Sequence, residues 1–167
     1  MYLKEPEQQT LSALPDGRAG IAATLAAMCE LSRSYRIDPL IRKTAGELVA
    51  GFPGKDFYSE IRSLFYFVRD QIRYMRDIDG VETLQTPVVT LENRWGDCDD
   101  KSLLLGTLLL SIGHPVRFKA VGIDGGDFEH VYVETKLGSR WIALDSTEEN
   151  DMGWEPPGIS VFMIRHC

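Results

Sequence analysis

Cys98 follows a Gly96-Asp97 break and opens an apolar run, Leu103, Leu104, Leu105, Leu108, Leu109, Leu110 and Ile112, which has helical length and ends at Gly113. The pattern predicts a helix with Asp97 as N-cap and Asp99 and Asp100 in its first turn. Cys98 then lies where unpaired backbone N–H groups and the positive end of the helix dipole favour a thiolate, the reactive form of cysteine. Such a thiol needs a base to take its proton, and the base needs a third group to fix its tautomer. His130 opens an alternating run, His130-Val131-Tyr132-Val133-Glu134-Thr135, and Asp145 closes a second, Arg140-Trp141-Ile142-Ala143-Leu144-Asp145. A two-residue turn at Leu137-Gly138, or a four-residue loop from Lys136 to Ser139, sets His130 directly opposite Asp145 on one side of a hairpin. A slip of one residue would send one partner to the other face. Taken singly, Cys98 reads as a small core residue, His130 as a structural histidine and Asp145 as a turn cap before Ser146-Thr147. Taken together, a thiol, an imidazole and a carboxylate on elements that can pack favour nucleophilic catalysis.

The rest of the chain must position these groups. Gly17 to Arg36 and Asp38 to Gly51 carry helical spacing, the second with Pro39 at its first position. Phe52-Pro53-Gly54 is a turn. A third helix from about Asp56 to Arg73 presents the stripe Phe57, Ile61, Leu64, Phe65, Val68 and Ile72. Residues 77–86 read as a polar loop, and residues 87–91 as a short apolar piece leading to the cysteine. After Gly113-His114-Pro115, where His114 reads as structural, the period turns to strand alternation over residues 116–123, 130–135 and 140–145. A last strand is expected at Ile159 to Ile164. Helices first and antiparallel strands after predict an α+β fold. Residues 1–16, polar with two prolines, read as an extended arm.

At 167 residues, with 44% hydrophobic and 26% charged residues, the chain fits one soluble domain. A net charge of −7 argues against nucleic acid or an anionic membrane as partner. No apolar stretch is of membrane-spanning length, and Met1 to Pro6 shows no basic-then-apolar leader, so the cytoplasm is the expected compartment. Cys29, Cys98 and Cys167 are scattered and odd in number, which predicts no disulfide framework and suits a reducing compartment. Cys29 reads as a small residue on the apolar face of its helix.

The runs Gly96-Asp97-Cys98-Asp99-Asp100, Ile112-Gly113-His114-Pro115-Val116, His130-Val131-Tyr132-Val133-Glu134 and Trp141-Ile142-Ala143-Leu144-Asp145 resemble the core of the transglutaminase-like superfamily. Ile72-Arg73-Tyr74 and residues 82–87 resemble it as well. The likeness covers residues 60–147 and is strongest to small bacterial and phage transglutaminase-like proteins, a cysteine protease family. It implies a single papain-like domain over 1–167, with a helical N-terminal extension (1–55) and a catalytic core (56–167) in which the cysteine helix packs on an antiparallel sheet.

The resemblance also implies Cys98 as nucleophile, His130 as general base and acid, and Asp145 as the orienting group. It implies acyl transfer through a thioester on a protein or peptide substrate, to water as acceptor or to an amine in transglutamination; hydrolysis is the expected outcome. The Cys98 N–H and one further donor would meet the oxyanion, with Gln85 and Trp95 as candidates for the second. No cofactor is required. Calcium is the one candidate, since acidic residues near the cysteine bind it in some relatives, and Asp99 and Asp100 stand there. Asp124 and Asp127 lack the spacing of a calcium loop. The rival from another class is a non-catalytic binding or assembly protein of phage or prophage origin with an idle triad.

Overall fold

The computed structural model describes residues 9–10, 17–76 and 83–167. Most of the arm expected over 1–16, and residues 77–82 of the expected polar loop, lie outside the described residues. In chain order the elements are β1 (Gln9–Thr10), α1 (Arg18–Tyr35), α2 (Pro39–Val49), α3 (Phe57–Gln71), β2 (Arg73–Tyr74), β3 (Thr83–Leu84), α4 (Pro87–Asn93), β4 (Trp95–Gly96), α5 (Cys98–Ser111), β5 (Val116–Ile123), β6 (His130–Leu137), β7 (Arg140–Leu144) and β8 (Ile159–His166). The last four strands form an antiparallel sheet in the order β7-β6-β5-β8. The fold is α+β, as the order of periodicities predicts.

Side chains cap the helices that shape the core. Asp38 accepts from Leu40 N (2.8 Å) and Ile41 N (3.3 Å) ahead of Pro39, and Asp56 accepts from Ser59 N at 3.2 Å. α3 buries Ile61, Leu64, Phe65 and Val68. Phe57, which the spacing puts on that stripe, is 48% exposed. It starts the helix, one turn beyond Ile61, and meets the edge of His114 rather than the core. His114 is held by Glu60 at 2.8 Å, in keeping with a structural role. Residues 87–91 form most of helix α4 rather than a mere link. Thr86 caps it, Pro87 sits at its first position and Arg94 stops it at φ 63°.

α5 is the centre of the molecule. Leu103, Leu104, Leu105, Leu108 and Leu109 are fully buried, and the helix touches α1, α2, α3, α4, β5 and β6. A helix enclosed on all sides carries apolar residues all round rather than on one stripe. Phe118, Ala120, Val131, Val133 and Leu144 supply the sheet side of that core. Among the described residues no helix is long and apolar enough to cross a membrane.

The cysteines depart from expectation. Cys29 on α1 and Cys167 just after β8 form a disulfide across 138 residues of sequence, with Cα atoms 5.2 Å apart. Sequence spacing hid the pair because the packing of α1 against β8 brings its ends together. Cys29 is buried but bonded, and Cys98 is the free cysteine. The cysteine argument for a reducing compartment therefore falls away. Reducing this bond is expected to lower stability by about 2–4 kcal/mol, read as a fall in the urea midpoint with dithiothreitol present.

Candidate active site

α5 begins with a reciprocal cap. Asp97 Oδ1 accepts from Asp100 N at 3.1 Å, and Asp100 Oδ2 accepts from Asp97 N at 3.3 Å. Asp100 is fully buried and also accepts from Gln85 N (2.8 Å) and Gln85 Nε2 (2.9 Å). Burial and the Asp97 charge push its carboxyl up to about 7, against the pull of these N–H donors. Gly96 has no room for a side chain, because a Cβ there would lie 2.5 Å from Asp100 Cβ. Gly96→Ala is expected to cost about 2–4 kcal/mol by forcing the cap and the Gln85 contacts apart, measured by urea unfolding.

β4 delivers the chain to this cap. It pairs in parallel with β2, Arg73 beside Trp95 and Tyr74 beside Gly96, and Met75 N donates to Gly96 O at 2.9 Å. Cys98 is the first residue of α5, as the sequence predicts. Its Sγ contacts Asp99 Oδ1 at 3.4 Å. One turn on, Ser102 Oγ donates to Val131 O at 3.1 Å. The first turn of α5 is thus tied to the start of β6, next to His130.

The surroundings of the thiol work against the thiolate that a helix N-terminus alone would favour. Burial pushes its pKa well up, and the Asp99 and Asp97 carboxylates push it further; the Val131 N–H pulls the other way.

His130 and Asp145 meet, but through a register other than the expected one. β6 and β7 pair Leu137 with Arg140 and Val133 with Leu144, turning at Gly138-Ser139. Gly138 takes the positive φ of 63° that the turn needs. The register is shifted by two residues from a Leu137-Gly138 turn. A two-residue shift preserves the face, so Asp145, just past β7, lies diagonally across from His130 instead of opposite it. His130 Nε2 bonds Asp145 Oδ2 at 2.6 Å. Asp145 Oδ1 accepts from Thr147 N (3.1 Å) and Thr147 Oγ1 (2.6 Å), so the turn-cap reading holds alongside the pairing.

Burial opposes the charge on His130, yet the Asp145 bond and charge, with Glu148 and Asp99, outweigh it and leave the imidazole pKa raised. Burial likewise opposes the charge on Asp145, but His130 and Thr147 hold its pKa below the ordinary value. The loop after Asp145 is pinned to the sheet by Gly153 N donating to Ala143 O (2.8 Å) and by Tyr132 Oη donating to Glu155 Oε1 (2.5 Å).

Gln85 and Trp95 divide. The Gln85 amide is engaged, donating to Asp100 and accepting from Asn93 Nδ2 at 3.5 Å. Trp95 is half-buried on β4, directly before Gly96. Of the two carboxylates named as calcium candidates beside the cysteine, Asp100 already takes three N–H donors on its two oxygens. Among the described residues no group of three or more His, Cys, Asp or Glu could hold a metal ion.

Sequence reasoning missed Lys101. It is 2% exposed, and its Nζ donates to Ile72 O (2.7 Å) and Arg69 O (3.2 Å). Burial pulls its pKa down to about 8, against Asp145 and Asp70, which hold it up, while the Arg69 charge adds to the fall. The available signal was its place three residues after Cys98, at the mouth of a helix that is otherwise apolar.

The family model of the transglutaminase-like superfamily matches residues 42–146. No curated protein matches the sequence. Among solved structures, a candidate protease of Parabacteroides distasonis is similar over 81% of this chain and 31% of its own, at 13% identity and a TM-score of 0.61. A candidate cysteine protease of Cytophaga hutchinsonii matches over 94% of this chain and 55% of its own, at 20% identity and a TM-score of 0.55. LapG of Legionella pneumophila matches over 81% of this chain and 80% of its own, at 20% identity and a TM-score of 0.55. A calcium-bound form of LapG matches at 21% identity and a TM-score of 0.54, over 75% of this chain and 74% of its own. The chain spans about a third of the first of these proteins and about half of the second. At these identities the likeness is one of fold.

Proposed function

Because the chain belongs to the transglutaminase-like superfamily, we propose that it is a thiol-dependent acyl-transfer enzyme that hydrolyses amide bonds in a protein or peptide substrate. Cys98 is the nucleophile, His130 the base and acid, and Asp145 the group that fixes the imidazole. The observation that carries this reading is the part-buried 2.6 Å bond between His130 Nε2 and Asp145 Oδ2, one residue from Val131, whose carbonyl is tied to the first turn of the Cys98 helix by Ser102.

With Nε2 committed to Asp145, the proton traffic falls to His130 Nδ1. Nδ1 takes the proton of the Cys98 thiol as sulfur attacks the scissile carbonyl. The carbonyl electron pair moves onto oxygen, where the Cys98 N–H and a second donor stabilise it. The pair returns, the C–N bond breaks, and the imidazolium gives its proton to the departing amine. Water, deprotonated by His130, then attacks the thioester; sulfur leaves and regains the proton. Of the two donor candidates Trp95 is favoured, since the Gln85 amide is engaged and acts on the site through Asp100.

The test is a peptide mixture digested with the protein and read by mass spectrometry, with and without a primary amine. Cleaved peptides that vanish with His130→Ala support the reading. Amine-bearing products would assign transfer over hydrolysis. Identical peptide patterns from the wild type and His130→Ala would overturn it in favour of a binding or assembly role.

A further inference from the structure

The last turn of α3 holds both halves of the site. The chain leaves this helix when Arg73 N turns to Arg94 O (2.8 Å) and starts β2 beside β4. Had the helix continued, Arg73 N would have met Arg69 O. Lys101 Nζ takes its place, donating to Arg69 O at 3.2 Å and to Ile72 O at 2.7 Å. Lys101 is 2% exposed and stands three residues after Cys98, beside it on the surface of α5. A buried ammonium is costly, and the dipole of α5 opposes a cation near its own N-terminus. The C-terminus of α3 is what favours this one, so the charge is explained by the joint between the two helices. The next residue, Ser102, ties the same turn of α5 to Val131 O, beside His130.

Side chains from that turn of α3 grip the other half. Arg69 Nη1 donates to Asn150 O at 3.0 Å, and Tyr66 Oη donates to Asp151 Oδ1 at 2.7 Å. The Arg69 guanidinium lies 4.4 Å from the centre of the Tyr66 ring, which stacks the two grips together. Asn150 and Asp151 belong to the segment that follows Asp145 and returns to the sheet where Gly153 N donates to Ala143 O. This segment carries a cost of its own. Ser146, next to Asp145, is 1% exposed and its Oγ has no hydrogen-bond partner. Contacts made from outside must hold it on its course.

We propose that Lys101 and Arg69 are positioning residues for the acyl transfer. Through one turn of α3 they fix the Asp145 segment against the head of α5, and so keep the His130 imidazole in line with the Cys98 thiol. This rests on Cys98, His130 and Asp145 acting as proposed above. Lys101 works through the carbonyls it joins, and Arg69 through the backbone of Asn150.

The experiment reads the rate of iodoacetamide alkylation at Cys98 by mass spectrometry of the intact chain at neutral pH. The proteins are the wild type, Lys101→Met, Arg69→Met, His130→Ala and each α3-joint variant combined with His130→Ala, with circular dichroism confirming that each folds. The wild type is expected to react faster than His130→Ala. Lys101→Met and Arg69→Met should each lose about 10-fold or more of the wild-type rate, the scale of a small misplacement in a reacting pair. Neither should slow the reaction further in the His130→Ala background, because both act through the imidazole. A merely structural role would lower the urea midpoint and leave the folded protein reacting at the wild-type rate, and that result overturns the proposal. Equal slowing in the two backgrounds overturns it as well. A wild type no faster than His130→Ala overturns the Cys98–His130 reading and this inference with it. If Lys101→Met fails to fold, Arg69→Met, whose side chain is part-exposed, gives the same comparison alone.

Discussion

The Cys98→Ala variant is expected to fold as the wild type does and to lose peptide cleavage by a factor on the order of 10⁴ or more, the scale set by removing the nucleophile of a catalytic triad. Alanine at this place keeps the helix start, because the cap is made by Asp97 and Asp100 and not by the thiol. The lost sulfur contacts Asp99 Oδ1. Ser102 still holds Val131 O. The stability cost should therefore stay near 1 kcal/mol, within the usual range of a single small truncation. Product quantified by mass spectrometry, alongside urea unfolding, separates the two effects. Cleavage that persists at a tenth of the wild-type rate would assign the chemistry to another group.

Asp145→Asn should show the second largest effect, a fall in kcat on the order of 10³–10⁴, because an amide can donate to His130 Nε2 and impose the wrong tautomer. The pH profile carries a separate signature. In the wild type the raised His130 pKa puts the acid limb of the rate above the ordinary 6.5, since His130 must be neutral to accept the thiol proton. Without the Asp145 charge the burial of His130 dominates, and the limb should move to lower pH.

Stability follows the same pair with opposite signs at its two ends. His130, with a raised folded pKa, stabilises fully below 6.5 and loses that contribution as pH rises through the folded value. Asp145, with a depressed folded pKa, stabilises above 3.8 and loses its contribution as pH falls through the folded value. The stability gap between the wild type and Asp145→Asn should therefore be widest between about pH 4 and 6.5 and narrow on either side, as read from urea midpoints across the range.

Much of this site was legible from local chemistry. An acidic residue before an apolar run of helical length announces a cap, and Asp97 caps α5 one residue ahead of Cys98. Strict alternation announces strands, and β6 and β7 run where it does. What local chemistry could not supply was register and distance. The hairpin turn slid one position along, to Gly138-Ser139, because either dipeptide containing Gly138 can place the glycine at a positive φ. The His130–Asp145 contact survived because the slip was even.

The disulfide escaped because it joins a helix near the start of the chain to the end of the last strand, and no spacing rule reaches across such a fold. Lys101 carries no local mark of burial, and only the packing of α3 against α5 gives its ammonium two backbone carbonyls in the interior. The thiol's raised pKa had the same origin. The sequence places both Asp99 and the helix dipole at Cys98, but the burial that decides between them belongs to the folded molecule.

The most direct measurement of the Cys98–His130 partnership is the rate of iodoacetamide alkylation at Cys98 against pH, in the wild type and in His130→Ala. Cys98 is the free cysteine, so the added mass reports it alone in the oxidised protein. The partnership predicts a wild-type rate that rises through a histidine ionisation above pH 6.5, and a His130→Ala rate that stays low until strongly alkaline pH, where the buried thiol ionises unaided. Superimposable profiles in the two proteins would contradict it.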